Sequence, residues 1–218
     1  MSGAIQATFM NQRSFGPPPP GAIGSAYQGG FYAGQISTTA NGVATHYLVI
    51  GPLSTAAAVR TWKPAATATA GTDSVIDGPA NTAAMIAAGA ADHPAADFCD
   101  TLSIGGYDDW YMPARNELEI CYFNLKPTTD SNSTGSGINA NAVPPRASTY
   151  TAGTPAQTAA TAFRTGGSEA FDTSSHWSST QFNVNPARAL FQQFLDGAQG
   201  NLSKAGTLYV RAVRRVPV

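Results

Sequence analysis

Between Gly105 and Leu118 the chain must turn sharply, extend for a few residues and then start a helix. The glycines and aspartates of Gly105–Asp109 are typical of a tight turn, because glycine tolerates unusual backbone angles and aspartate side chains hydrogen-bond nearby backbone. The aromatic pair that starts at Trp110 favours a short strand, and Pro113 suits the first turn of a helix. Glu117 would lie in that first turn, where the helix dipole favours a carboxylate, so we expect it to make a structural contact.

Three segments have the pattern of helices. Ala80–Ala91 is rich in alanine and follows a proline, which suits a helix start. A second, short helix is predicted from Asp92, with Asp92 as a possible cap and Pro94 in its first turn. The third begins at Pro113, and its apolar residues recur at helical spacing on one face: Leu118, Cys121, Tyr122 and Leu125.

Strand signals occur near both ends of the chain. Gly30–Ile36 and Thr45–Ile50 are strand-like, and Asn41–Gly42 between them is a strong signal for a tight hairpin turn. Three further segments resemble an antiparallel meander: about residues 170–179, 187–195 and 208–216.

The N-terminal residues differ from the rest of the chain. Pro17–Pro20 favours an extended polyproline II arm, which cannot enter the interior of a sheet. A disordered tail is one interpretation. An anchor that docks on a neighbouring subunit is the other, and the aromatic residues favour it, because disordered tails are usually poor in aromatics: Phe9, Phe15, Tyr27 and Phe31.

Residues 128–167 consist almost wholly of threonine, serine, asparagine, glycine, alanine and proline. A stretch of this length without secondary structure inside a compact domain is usually either functional or disordered. The composition leaves both alternatives open.

The composition excludes several classes of protein. Charged residues make up 11% of the 218 residues and the net charge is -1, so the chain lacks the basic face of a nucleic-acid binder. Cys99 and Cys121 are too few for a disulfide scaffold and have the wrong spacing for a zinc site. No apolar run is long enough for a membrane span, and no signal peptide is recognisable, so we expect synthesis in the cytoplasm and no membrane insertion.

The residues do not predict an enzyme, a cofactor or a metal site. Asp108 and Asp109 are paired carboxylates, but turn chemistry explains them more simply than acid–base catalysis. Ser178 is not in a nucleophile elbow, and phosphate-loop, dinucleotide-binding and zinc-protease motifs are absent from the sequence. Trp110 and Trp177 are expected to pack the core, with sugar stacking as the alternative.

As a set, these motifs resemble the C-terminal domain of Lcl-type proteins, a branch of the C-type-lectin-like fold, over about residues 75–216. Two departures matter. Related domains often carry a second cysteine where this chain has Ala212, and the triplets of calcium-dependent lectins do not occur, so calcium-mediated sugar binding is not supported. The matching segments are Phe98–Leu102, Gly105–Trp110, Pro113–Leu118, Trp177–Thr180, Leu190–Gly197, Lys204 and Val210–Arg214.

The resemblance implies an α+β fold: a C-type-lectin-like domain with two or three helices and a small antiparallel sheet. We expect this domain over residues 36–218, after an extended Pro/Gly-rich arm over residues 1–35. The residues expected to form its structural motif are Trp110, Pro113, Glu117, Trp177, Ser178, Arg211 and Arg214.

Together with its N-terminus, the domain looks like tail or appendage proteins of tailed phages. This likeness implies a virion protein of the tail-fibre or tail-tip type, a homotrimer that the arm attaches to other virion proteins. The mechanism would be adhesion, in which uncharged loops bind a host-surface polysaccharide or receptor. The candidate ligand-binding residues are Tyr150, Phe171, His176, Phe182, Asn183 and Arg188.

Two other functions remain as alternatives. The chain could be a purely structural collar, decoration or tail component without a receptor. A polysaccharide-active enzyme is third, because few acidic residues lie outside turns.

Overall fold

The computed structural model describes Pro18 and residues 20–218. The predictions for residues 1–17 and for Pro19, which include most of the anchoring arm, lie outside the described residues.

The described part of the chain is mostly β. Its longest helix has 11 residues, and none of its helices is long and apolar enough to cross a membrane. The strands are β1 (Ala26–Tyr27), β2 (Gly30–Ile36), β3 (His46–Ile50), β4 (Ala57–Thr61), β5 (Ser175–Gln181), β6 (Arg188–Gln193), β7 (Gln199–Ser203), β8 (Thr207–Arg211) and β9 (Val213–Pro217). The helices are α1 (Leu53–Ala56), α2 (Gly78–Ala87), α3 (Pro94–Asp100) and α4 (Arg115–Leu125).

These strands form two sheets. The first has the order β1-β2-β3-β9 and is antiparallel throughout. The second has the order β4-β8-β5-β6-β7 and is mixed, since β5 and β8 run parallel through the pair His176 and Tyr209.

The predicted fold class, a C-type-lectin-like domain with a small antiparallel sheet, is wrong. The C-terminal run expected as one strand is two strands, β8 and β9, which belong to different sheets. Ala212 lies between these two strands. Its N–H donates to the carbonyl of Ala56, and its carbonyl accepts from the N–H of Gly51, each at 2.9 Å. Strands β1 and β7 were not predicted, because β1 has only two residues and β7 is largely polar, so neither shows a period-two apolar pattern. The sequence leaves Arg60–Lys63 open between a short strand and a turn, and the structure has the end of strand β4 at Thr61.

Several local predictions are confirmed. Strands β2 and β3 pair as the predicted hairpin, although residues 37–45 join them as a longer connection and not as a tight turn at Asn41–Gly42, and the three predicted helices correspond to α2, α3 and α4. The predicted cap is not made, because His93 holds the N-cap position of α3 and no side chain caps it there.

Part of the predicted arm lies in the first sheet. The edge strand β1 pairs with β2, and β2 pairs with β3 through Ile36 and His46. Residues 26–35 are therefore continuous with the domain that was expected to begin at residue 36. The Tyr27 hydroxyl also donates to the carbonyl of Pro18 at 3.0 Å.

Strand β3 separates two apolar clusters, because alternate side chains of a strand point to opposite faces. Leu48 and Ile50 join a cluster built around α4. Tyr47 and Val49 join a second cluster with α2, α3 and three tryptophans. The tryptophans are Trp62, Trp110 and Trp177.

The two cysteines are free and buried, Cys99 in the tryptophan cluster and Cys121 in the α4 cluster. They therefore do not form a bridge. Burial raises the pKa of both thiols well above the ordinary range.

Replacing Trp177, which is fully buried, tests the core assignment. We expect Trp177→Ala to lower the free energy of unfolding by about 3–5 kcal/mol, since it removes a large buried ring and leaves a cavity. The control is Val184→Ala, because Val184 is 79% exposed; we expect it to change stability by less than about 0.5 kcal/mol. Chemical denaturation measures both, and equal stability of the two variants would contradict the assignment.

Candidate functional site

The Lcl-type motif residues build the frame of the domain. Glu117 is fully buried and accepts hydrogen bonds from the backbone N–H of Ala114 at 2.8 Å and of Gly78 at 3.2 Å. Its carboxylate also accepts from the hydroxyl of Tyr111 and from Nε of Arg215, the latter at 2.7 Å. Burial raises the pKa of Glu117, while Arg215 opposes that shift. One carboxylate thus joins the starts of α2 and α4 to β9.

Two arginines of the motif make buried or half-buried ion pairs. Arg211 donates to the carbonyl of Gly51 at 2.9 Å and to the carboxylate of Glu169 at 2.6 Å. Arg214 makes a bidentate pair with Asp109 at 2.6 and 2.9 Å. These guanidinium groups are therefore committed to contacts within the domain.

The remaining motif residues also make internal contacts. Trp110 is 2% exposed, and its indole N–H donates to the carbonyl of Tyr107 at 3.1 Å. The indole of Trp177 donates to a backbone carbonyl of β4 at 3.2 Å. The Ser178 hydroxyl donates to a carbonyl of β6 at 2.9 Å, and the carbonyl of Pro113 accepts from β5 at 2.8 Å.

Residues 128–167, which we call the polar segment, are held on the domain by side-chain hydrogen bonds. Asn132 is 6% exposed, and its amide donates to the carbonyls of Thr151 at 3.1 Å and Pro155 at 2.9 Å. Its oxygen accepts from the hydroxyl of Tyr122 on α4 at 2.6 Å. Polar side chains here satisfy backbone groups that a helix or a sheet would otherwise pair.

A second buried carboxylate of α4, Glu119, fixes the middle of the polar segment. It is fully buried and accepts from Asn139 at 2.6 Å, from Nε of Arg146 at 3.1 Å and from the hydroxyl of Tyr150 at 2.7 Å. The Nη2 of Arg146 also donates to it. The Arg146 side chain is 14% exposed, so its guanidinium reaches the surface beside this pair.

A cleft of about 290 Å³ opens over this pair, and we call it the hydroxyl cleft. Phe123 and Tyr150 form apolar walls, and the guanidinium of Arg146 lies 4.1 Å from the centroid of the Phe123 ring. Arg146 is the sole charged group among the residues that line it. The others are Ala147, Ser148, Thr149, Thr151 and Thr154, all exposed.

A larger, open cleft of about 610 Å³ lies between α2, the turn before Trp110 and β9. Asp108 and Asp109, the predicted turn carboxylates, border it, but Asp109 is already paired with Arg214. Asp77 and Asp100 add to its acidic rim. Across the part of the chain that the structure describes, histidine, cysteine and acidic side chains form no group of three able to hold a metal ion.

Three of the predicted ligand-binding residues are almost wholly buried. Phe171 stacks on Phe194 with 3.9 Å between ring centroids, and the His176 ring lies 4.6 Å from Phe194. These two therefore belong to the core. Tyr150 is 4% exposed, yet its ring borders the hydroxyl cleft.

The other three predicted residues lie together at the turn between β5 and β6. The backbone N–H of Phe182 donates to the carbonyl of Arg188 at 2.9 Å, which closes the turn. Asn183 is exposed, and the guanidinium of Arg188 bonds to Asn201 of β7. The six residues thus fall in separate places and do not form a single site.

Sequence reasoning missed Glu119, Phe123, Arg146 and Thr149. A signal for Arg146 exists, because Asp130 and Arg146 are the sole charged residues between Lys126 and Arg164. An isolated arginine in an uncharged segment predicts a specific partner. That partner, Glu119, lies 27 residues earlier on a helix, and spacing along the chain does not reveal the contact.

The fold and these clefts define a two-sheet β domain with one acidic cleft and one cleft lined mainly by uncharged residues. The chain belongs to the Lcl C-terminal domain family, whose model matches residues 57–214. A comparison with curated proteins gives no match. A crystal structure of a fimbrial protein from Bacteroides ovatus is similar with a TM-score of 0.44 and 17% identity, over 77% of this chain and 35% of that protein. That likeness is too weak to assign a fold or a function.

Buried His176 makes stability depend on pH. Burial lowers its pKa to about 3, with Arg211 contributing in the same direction, while the Ser174 carbonyl and Asp172 oppose the shift. The unfolded chain binds a proton near the ordinary histidine pKa of about 6.5 and the folded chain does not, so stability falls as the pH drops below about 6.5.

We expect His176 to contribute about 2 kcal/mol to the stability difference between about pH 6.5 and pH 5. His176→Phe keeps a ring among Phe171, Phe194 and Tyr209 but cannot titrate, so its stability should fall less over that interval. Denaturation at a series of pH values measures the slope, and identical slopes for both proteins would contradict the assignment.

Proposed function

We propose that this chain is an adhesion module that binds a host-surface saccharide through the hydroxyl cleft, as part of a phage tail or head appendage. The observation that carries the proposal is the cleft itself, in which hydroxyl groups surround aromatic walls on an ordered surface. Saccharides present the matching chemistry, since they have many hydroxyl groups and apolar faces of C–H groups.

The support under the hydroxyl cleft favours binding over a merely exposed loop. Arg146 and Tyr150 are both bonded to buried Glu119, so two of the lining side chains are held in one geometry. A site held in its bound shape loses less conformational entropy when a ligand arrives. Serine and threonine hydroxyls also cost little to desolvate when they regain hydrogen bonds from the ligand.

A cleft of this size suits one or two sugar rings and a weak single-site affinity. Several copies in one appendage would raise the overall avidity without any new contact. This fits the homotrimeric virion protein that we propose, with residues before β1 attaching it to other virion proteins. The low charge of the chain, 11% of residues, supports an exposed particle surface by association.

We infer binding and not turnover. The acidic residues with the greatest catalytic promise, Asp108 and Asp109, border the larger cleft, but Asp109 is occupied by Arg214. A hydrolase needs two carboxylates that converge on one bond. Turnover of host polysaccharide that is lost in Asp108→Asn would contradict this inference.

Glycan-array binding by the whole chain tests the proposal, with a cleft-blocking variant beside a matched control. We expect Thr149→Trp to reduce binding at least about tenfold, because an indole at the rim fills the cleft. Thr134→Trp makes the same change at an exposed residue of the polar segment that does not line the cleft, and should bind like the wild type.

Absence of binding to every glycan would overturn the adhesion proposal and favour a purely structural virion component. Equal loss in both tryptophan variants would place the site outside the hydroxyl cleft.

A further inference from the structure

We propose that the hydroxyl cleft selects uncharged saccharides over acidic ones, with Glu119 as the positioning residue and Arg146 as a binding residue. This inference rests on the proposed adhesion function and names the ligand class of the same cleft. It follows from how the charge of Arg146 is compensated.

Only two of the three nitrogen atoms of the Arg146 guanidinium donate hydrogen bonds within the described part of the chain. Its Nε and Nη2 face the carboxylate of Glu119, while Nη1 makes no hydrogen bond to any part of the chain that the structure describes. The guanidinium plane also lies over the Phe123 ring at 4.1 Å, which restricts its rotation. The cleft therefore presents a positioned N–H donor whose charge is already paired.

Glu119 cancels the attraction that Arg146 would otherwise exert on an anion. Its carboxylate is fully buried below the cleft, where water and salt screen it poorly. An acidic sugar entering the cleft would meet a pair of net charge zero and would lose part of its own hydration. The remaining lining residues are uncharged and supply no second cation to offset that cost.

An uncharged saccharide has no charge to desolvate and can still contact all of the polar and aromatic side chains that line the cleft. Its ring and hydroxyl oxygens accept from Nη1 of Arg146, and its hydroxyl groups exchange hydrogen bonds with Ser148, Thr149, Thr151 and Thr154. The exposed parts of Phe123 and Tyr150 contact its C–H groups. Hydrogen bonds to a charged donor are stronger than those between neutral groups, so Arg146 should dominate the polar contribution.

The experiment is calorimetric titration of the full chain with neutral tetrasaccharides of glucose, galactose and mannose and with the matching uronic-acid tetrasaccharides. Titrations at about 0.05 M and about 0.5 M NaCl separate charge effects from other contacts. We expect at least one neutral ligand to bind about tenfold more tightly than its acidic counterpart, with an affinity that changes little with salt.

Two variants test the roles of the ion pair. Arg146→Gln should weaken the neutral ligand about tenfold, since it removes the charged donor. Glu119→Gln leaves the Arg146 charge uncompensated, so the matching acidic ligand should gain about tenfold at low salt and lose that gain at high salt. Circular dichroism checks that each variant is folded, and if Glu119→Gln does not fold, the wild-type comparison at two salt concentrations decides alone.

The outcomes separate this inference from the function on which it rests. Tighter, salt-sensitive binding of acidic ligands by the wild type would overturn the ligand class and leave adhesion standing. No binding of either kind, with an array that is also blank, would overturn both.

Discussion

Helix α4 carries two carboxylates, Glu117 and Glu119, that are both fully buried, and the rest of the structure is arranged to satisfy them. A buried carboxylate without partners is strongly unfavourable, so its surroundings must supply donors. Glu117 takes them from the starts of α2 and α4, from Tyr111 and from β9. Glu119 takes them from the polar segment. Helix α4 therefore packs on the first sheet and also binds the polar segment, which forms most of the hydroxyl cleft.

The polar segment shows how a chain almost without regular secondary structure can still be ordered. The side-chain amides of Asn132 and Asn139 donate to backbone carbonyls, and Asn139 also donates to the carboxylate of Glu119. They supply hydrogen bonds that the backbone of a neighbouring strand would supply in a sheet. These contacts bury amide side chains, which is favourable only when nearly all of their hydrogen bonds are made. The same contacts leave the short hydroxyl side chains around Thr149 at the surface, so an ordered backbone and an exposed hydroxyl surface arise together.

The two-sheet fold places two of the candidate ligand-binding residues in the core. Phe171 and His176 were expected to contact a ligand, but Phe171 stacks on Phe194 inside the core and the His176 ring lies against the same phenylalanine. Tyr150 borders the hydroxyl cleft, and His176 borders a smaller cleft beside β4. The family match covers residues 57–214, and the motif residues within that range make internal contacts. The proposed saccharide contacts come from residues outside those motifs, so members that share the frame need not share a ligand.

The sequence by itself determined the local elements: the hairpin of β2 and β3, the helix that follows Pro113, and the turn before Trp110. Each depends on backbone preferences and spacing within a few residues, which a sequence displays directly. The tertiary structure alone decided that β8 and β9 part at Ala212 into different sheets, and that Arg146 meets Glu119. Both depend on contacts between residues far apart in the chain, and a polar strand or a paired arginine carries no local sign of its distant partner.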